Sequence, residues 1–112
     1  MEPRGRYIIS VAAELSDVSA TTLRRYERAG LLTPRRTRGG VRLYSDEDVA
    51  RLLQIRYLTG EWGASLVGIS LVMQVTERLL ALRALLEAEG AHDDLQQQAI
   101  ARIDEMLSIL GR

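Results

Sequence analysis

Seven arginines and one acidic residue, Glu27, lie between Ser19 and Tyr44 of a 112-residue chain whose formal net charge is zero. Guanidinium groups donate hydrogen bonds to phosphate oxygens and, as bidentate donors, to base edges in the major groove. A local excess of cations is the electrostatic footprint of a nucleic-acid-binding surface. These residues therefore predict recognition of a DNA duplex and not catalysis.

The first part of this segment has the pattern of a helix about ten residues long. Ser19 suits its N-cap and Gly30 its C-terminal stop, while Leu23 and Tyr26 provide an apolar pair three residues apart. Polar and basic side chains occupy the opposite face. The DNA contacts predicted on this face are Thr21, Thr22, Arg24, Arg25 and Arg28.

The second part, which we call the wing, has the pattern of a β-hairpin with a Gly39-Gly40 turn. Arginines flank the turn on both sides. The DNA contacts predicted in the wing are Arg35, Arg36, Arg38 and Arg42.

The rest of the composition argues against an enzyme. The chain has no cysteine and one histidine, His92, which excludes disulfides, thiolate metal sites and cysteine nucleophiles. His92 next to Asp93 and Asp94 indicates solvated charge, since three adjacent residues do not converge on an ion. We expect no catalytic residue, metal or cofactor. With no signal peptide and no membrane-length apolar run, a cytoplasmic, nucleoid-associated protein is expected.

The elements before the arginine-rich segment predict a helix-turn-helix. Ser10 suits the N-cap of a two-turn helix that ends at Leu15, and residues 16–19 form the turn into the basic helix. Four apolar residues are predicted to form the small core of this unit, namely Ala12, Leu15, Val18 and Leu23.

After the wing, Ser45 suits the N-cap of a helix with an acidic first turn that continues to Leu58. The chain is predicted to break at residues 60–64, and Ser65 suits the N-cap of the next helix. Residues 1–60 hold eleven arginines and seven acidic residues, whereas residues 61–112 hold four and eight. The two halves therefore have different partners.

One apolar seam with alternating spacings of four and three runs through the C-terminal half. It comprises Val75, Leu79, Leu82, Leu86, Ile100, Ile103, Leu107 and Leu110. Gly90 and a capping box from Asp94 to Gln97 indicate a local break between its two parts. Two interpretations remain open: a single long helix that pairs with a second copy, and a helical hairpin within one chain.

Several separated motifs resemble the MerR family of transcriptional regulators, and more closely its HspR-type heat-shock repressors. The matching residues are the run 7–15, the run 22–32, Pro34 to Gly40, Arg42, Tyr44-Ser45, Asp48-Val49, Gly63, Leu66 and Gly68-Ile69. The resemblance implies a winged helix-turn-helix, a homodimer joined by an antiparallel coiled coil, and an inverted-repeat operator. It also implies DNA contacts from Thr22, Arg24, Arg25, Tyr26, Arg42, Tyr44 and Arg56. For the HspR type it further implies a DnaK-type chaperone as co-repressor.

The predicted fold is mainly α: a winged helix-turn-helix in residues 1–75, then a long dimerisation helix in residues 76–112, broken or unbroken near Gly90. The seam residues form its predicted dimer interface. The predicted function is a sequence-specific transcriptional regulator, a repressor of heat-shock or stress genes. Two alternatives are an excisionase-like architectural DNA-binding protein and a protein-interaction module that the basic half tethers to DNA.

Overall fold

The computed structural model describes residues 6–88 and 93–112, and these ranges contain five α-helices and one antiparallel β-hairpin. The elements are α1 (Ile9–Ser16), α2 (Ala20–Arg28), β1 (Arg35–Arg36), β2 (Arg42–Leu43), α3 (Asp46–Trp62), α4 (Leu66–Ala88) and α5 (Asp94–Ile109). The mainly helical class with a small wing is confirmed. The predictions for Gly90 and His92 lie outside the described residues.

The chain divides into two compact units, one up to Tyr57 and one from Leu58 onward. The domain limits expected from the sequence, 1–75 and 76–112, stay a prediction. No described helix is both long enough and apolar enough to cross a membrane.

Helix α1 begins earlier than predicted, and this changes which residues it buries. Its N-cap is Ile8, which makes no side-chain capping bond, so the prediction of Ser10 as the cap is wrong. The buried pair is Ala12 and Ser16, whereas Leu15 is 49% exposed and is not a core residue. The Ser16 hydroxyl donates a 2.7 Å hydrogen bond to the Ala12 carbonyl, which satisfies it inside the protein.

Helix α2 has the predicted caps. Ser19 Oγ accepts a 3.1 Å hydrogen bond from the Thr22 amide, and Gly30 follows the last residues with φ +79°. Leu23 is fully buried and Tyr26 is 6% exposed, so the predicted apolar pair faces the core.

The wing pairs Arg35 with Leu43 and Arg36 with Arg42, and Gly40 at its turn has φ +82°. Residues before α1 extend this pairing. The Tyr7 amide donates to the Tyr44 carbonyl at 2.9 Å, and the Tyr44 amide donates back to the Tyr7 carbonyl at 2.7 Å. The lead-in segment, residues 6–8, therefore forms a one-residue antiparallel bridge in which Tyr7 pairs with Tyr44, directly after β2.

Asp46, the first residue of α3, anchors the same lead-in segment. Its carboxylate accepts hydrogen bonds from the Tyr7 hydroxyl at 2.7 Å and from Arg6 Nη1 at 2.6 Å. These two bonds, with Tyr7 the larger contributor, lower the pKa of Asp46 below its ordinary value of 3.8.

This lowered pKa predicts an acid dependence of stability. A carboxyl group with a lower pKa in the folded state stabilises the protein above its unfolded pKa, and the contribution is lost as pH falls through the folded pKa. We expect the free energy of unfolding to decrease below about pH 4, and Asp46→Asn to remove part of that decrease. Urea titrations of both proteins at a series of pH values measure the effect. The same pH dependence in both would show that Asp46 does not contribute.

Helix α3 starts with a reciprocal capping box. The Asp48 amide donates to Ser45 Oγ at 3.0 Å, and the Ser45 amide donates to the Asp48 carboxylate at 2.8 Å. The helix continues through Gly60 to Trp62, so the predicted break is confined to the residues after it, where Gly63 has φ +58°. A single helical glycine costs only about 1 kcal/mol, which the rest of the helix tolerates.

In the second unit, α4 and α5 contact each other, so the structure has the hairpin within one chain and not a single long helix. Ile103 and Leu107 of α5 are 3% and 4% exposed. Arg83 Nε lies 3.1 Å from Asp104 Oδ1 across the two helices, as an ion pair without hydrogen-bond geometry. The N-cap of α5 is Asp93, whose carboxylate accepts a 2.7 Å hydrogen bond from the Gln96 amide, so the helix is capped one residue earlier than the predicted Asp94.

Candidate nucleic-acid interface

The outward face of α2 presents three of the predicted arginines. Arg24, Arg25 and Arg28 are exposed, as is Thr21, because Leu23 and Tyr26 take the inward positions of the same helix. Thr22 is half-buried, and its hydroxyl oxygen accepts a 2.8 Å hydrogen bond from Ser19 Oγ. Arg25 also stacks its guanidinium on the Tyr26 ring, 5.5 Å from the centroid.

The wing arginines differ in what holds them. Arg36 Nη2 donates to Glu27 Oε1 at 3.0 Å, and Arg42 Nε donates to Glu27 Oε2 at 2.6 Å. Arg35 and Arg38 are exposed. Glu27 is therefore the shared counterion of two wing arginines, which the sequence pattern did not identify because these partners lie nine and fifteen residues further along the chain.

Four arginines of this unit form no ion pair with any residue in 6–88 or 93–112: Arg24, Arg25, Arg28 and Arg38. Three of them lie on α2 and one lies beside the wing turn. Cations without an internal counterion gain most from a phosphate, since no existing ion pair has to break.

Arg56, on α3, makes an ion pair with Asp17 in the turn of the helix-turn-helix, with Nη2 3.0 Å from Oδ2. Both side chains are more than half exposed, so the pair is weak and a phosphate can replace the carboxylate. Arg51 plays a structural role that the sequence did not reveal. Its Nε and Nη2 donate to the Leu31 carbonyl at 3.2 and 2.9 Å and hold the segment between α2 and the wing.

The structure corrects the assignment of Tyr44 to DNA contact, whereas the contact predicted for Tyr26 stays a prediction. Tyr44 has no exposed surface and Tyr26 is 6% exposed, so both are core residues that hold α2 and the wing in place. Burial raises the pKa of the Tyr44 hydroxyl, and the charge of Glu27 adds to the shift. The Tyr44 hydroxyl has no hydrogen-bond partner among the described residues.

This unpartnered hydroxyl predicts an unusual substitution effect. Burying a hydroxyl without a hydrogen bond costs about 1–3 kcal/mol, so Tyr44→Phe is expected to raise the free energy of unfolding by about 1 kcal/mol. The matched control is Tyr7→Phe, which removes a donor to Asp46 and should lower stability. Urea denaturation measures both. Destabilisation by Tyr44→Phe of more than about 1 kcal/mol would mean that the hydroxyl is hydrogen-bonded in solution.

Residues 7–76 match the family described as MerR HTH family regulatory proteins, and this range contains α1, α2, the wing, α3 and the start of α4. The chain belongs to the MerR family. Regulators of this family bind DNA, usually as dimers, and they are not enzymes, in agreement with the sequence-based prediction.

Individual relatives support the same assignment. The MerR-family chain is 41% identical over 78 residues to the heat shock protein HspR of Streptomyces coelicolor, covering 70% of this chain and 52% of HspR. It is 40% identical over 103 residues to the transcriptional repressor CarH of Myxococcus xanthus, covering 91% of this chain and 33% of CarH. The chain thus spans about half the length of HspR and a third of CarH.

A solved structure shares the fold of the MerR-family chain. It is a transcriptional regulator of the MerR family from Bacillus cereus, 31% identical, with a TM-score of 0.56. The match covers 91% of this chain and 77% of the other. No group of three acidic or histidine side chains suited to a metal ion occurs within the part of the chain that the structure describes.

Proposed function

We propose that this chain is a sequence-specific transcriptional regulator that reads the major groove with α2 and contacts the flanking backbone with the wing. The observation that carries the proposal is the set of four arginines without ion pairs, which lie on α2 and beside the wing turn in one unit. Arg35, Arg56 and Thr21 add exposed donors to the same unit, and Thr22 adds a half-buried one.

We further propose that its targets are heat-shock or stress genes and that it represses them. The 41% identity to HspR supports the first part, and the resemblance to the repressor CarH supports the second. A DnaK-type chaperone as co-repressor belongs to the same proposal. Co-purification of the chain with that chaperone, and tighter operator binding when the chaperone is added, would test it.

The proposed functional form is a homodimer on an inverted-repeat operator. One copy carries one α2, which covers one half-site, whereas a two-fold pair covers both. Helix α4 supports this form because an apolar stripe along it is unusually exposed. The stripe comprises Val67 (81%), Leu71 (63%), Val75 (43%), Leu82 (46%) and Leu85 (65%).

Part of the predicted dimer seam is not available for this interface. Ile103 and Leu107 are buried inside their own chain, while Leu79, Leu86, Ile100 and Leu110 are half-buried. Val75 and Leu82 are the seam residues that remain exposed. We therefore propose that the interface between copies uses these two residues with their neighbours on the α4 stripe.

Selection of bound fragments from a genomic pool, followed by footprinting, tests the proposed function. A regulator of this kind should enrich one inverted repeat and protect it at promoters. Phased or clustered sites without an inverted repeat would favour the architectural protein instead. No enrichment at any salt concentration would contradict both.

A further inference from the structure

We infer that Glu27 is the positioning residue of the wing: its carboxylate ties both wing strands to the last turn of α2, and Arg36 exchanges that carboxylate for a phosphate when DNA binds. The inference rests on the proposed function for its second half only. The first half concerns the protein without DNA and is tested separately.

The first observation is that the Glu27 carboxylate binds two arginines that lie opposite each other on the two wing strands. Arg36 of β1 and Arg42 of β2 lie opposite each other in the hairpin register, and each donates to a different oxygen of Glu27. Like charges directly opposite each other destabilise a strand pair unless a counterion lies between them. Glu27 is 19% exposed at its side chain, so it is largely enclosed by these two partners and by its own helix. It therefore determines where the wing lies relative to α2.

The second observation is that the two arginines are held unequally. Arg42 donates through Nε at 2.6 Å and its side chain is 31% exposed. Arg36 donates through Nη2 at 3.0 Å, is 48% exposed, and also donates through Nη1 to the Gly40 carbonyl at 3.3 Å. Exposed ion pairs contribute little to stability, so Arg36 can leave Glu27 at small cost while Arg42 keeps the wing in place.

Two opposite effects follow if Glu27 is removed. Two guanidinium groups lose their internal counterion, so binding to any duplex should tighten and its salt dependence should steepen, by about −0.9 in the log–log slope for each added phosphate contact. The wing also loses its fixed position, so discrimination between the operator and other sequences should fall. A residue that only supported folding would weaken both kinds of binding together.

The first test uses the protein without DNA. Glu27→Gln is compared with Glu14→Gln, which makes the same change in net charge at an exposed position of α1. The reporters are the amide hydrogens of Thr37 and Val41, which bond within the wing to the Val41 carbonyl at 2.9 Å and to Thr37 Oγ1 at 3.1 Å. We expect their hydrogen exchange to quicken about tenfold in Glu27→Gln and to stay unchanged in Glu14→Gln.

The second test measures binding to the operator from the genomic selection and to a shuffled duplex of the same composition. Glu27→Gln should bind the shuffled duplex more tightly than Glu14→Gln does, and its preference for the operator should fall about tenfold. Arg42→Gln should also lower this preference, and its effect should not add to that of Glu27→Gln. Arg36→Gln should leave wing exchange unchanged and reduce the salt slope by about 0.9.

Each outcome decides one part of the inference. Unchanged wing exchange in Glu27→Gln would overturn the positioning role, whatever happens with DNA. Quickened exchange in a protein whose wild type binds no duplex would support that role and overturn both the phosphate exchange and the proposed function. If Glu27→Gln does not fold, Glu27→Asp replaces it, because the shorter side chain keeps the charge but cannot keep the 2.6 Å contact with Arg42 Nε. Wild-type exchange in Glu27→Asp would then overturn the positioning role.

Discussion

Replacing Arg24 or Arg25 by alanine is expected to weaken operator binding by about 1–3 kcal/mol if the side chain contacts a base edge. Both lie on the exposed face of α2 and have no ion pair with any residue that the structure describes. Truncating a side chain that contacts a base edge weakens binding to the operator more than binding to other sequences. Truncating one that contacts a phosphate weakens binding to every sequence equally. Fluorescence anisotropy with the operator and a shuffled duplex separates the two roles.

The matched control is Arg102→Ala, which removes the same charge from an exposed position of α5. It should change the affinity for either duplex far less than the α2 substitutions do. If Arg24→Ala and Arg25→Ala bind both duplexes as well as Arg102→Ala does, then α2 is not the recognition helix.

A substitution in the proposed dimer interface is also expected to have a large effect on operator binding. Leu82→Asp places a charge on the exposed stripe of α4, where the wild-type side chain is 46% exposed and contributes little to the fold of one chain. We expect this protein to remain helical but to sediment as a monomer. Because joining two half-site contacts raises affinity by about 10²–10⁴-fold, operator binding should fall by at least about 100-fold. Analytical ultracentrifugation and circular dichroism, together with anisotropy, measure the three properties.

Ile103→Asp is the contrasting variant, because Ile103 is 3% exposed between α4 and α5. An uncompensated charge at this position should disrupt the hairpin itself and lower the helical content. If Leu82→Asp remains dimeric and Ile103→Asp becomes a folded monomer, the copies associate through the seam and not through the α4 stripe. A wild-type protein that is monomeric at about 10 μM without DNA would contradict a preformed dimer.

The first residues of the helices were predicted correctly where a serine side chain caps the helix N-terminus. Ser19, Ser45 and Ser65 were predicted as caps, and each accepts a hydrogen bond from an amide three residues later. Gly30 was predicted to end α2 for a similar reason, and in the structure it has a φ of +79°, a left-handed conformation that few other residues adopt. Helix α1 shows the limit of this approach. It starts without any side-chain cap, so the serine pattern misplaced its first residue and its buried face.

The sequence predicted which arginines form the candidate site, but not which acidic residues they pair with. The arginines on α2 and in the wing follow from residue type and spacing alone. That Glu27 holds Arg36 and Arg42, and that Asp17 holds Arg56, depends on tertiary contacts that no local pattern encodes. These contacts also divide the arginines into those with an internal counterion and those without one.

Tyr44 was assigned to DNA contact by resemblance, and the structure buries it completely. An aromatic residue at the end of a short strand can face the core or the solvent, and period-two alternation over only two strand residues does not decide between them. The C-terminal seam had a comparable ambiguity. Its spacing predicts packing against another helix, but it does not say whether that helix belongs to the same chain.

The salt dependence of binding to the selected operator tests the central claim most directly, because it counts the phosphate contacts that the arginines make. If Arg24, Arg25, Arg28, Arg36 and Arg38 each hold one phosphate, the plot of log affinity against log salt concentration should have a slope of about −4.5 per copy. Arg102→Ala should keep that slope, and Arg38→Ala should reduce it by about 0.9. Affinity that stays flat between about 50 and 200 mM salt would contradict the assignment of α2 and the wing as a DNA-binding surface.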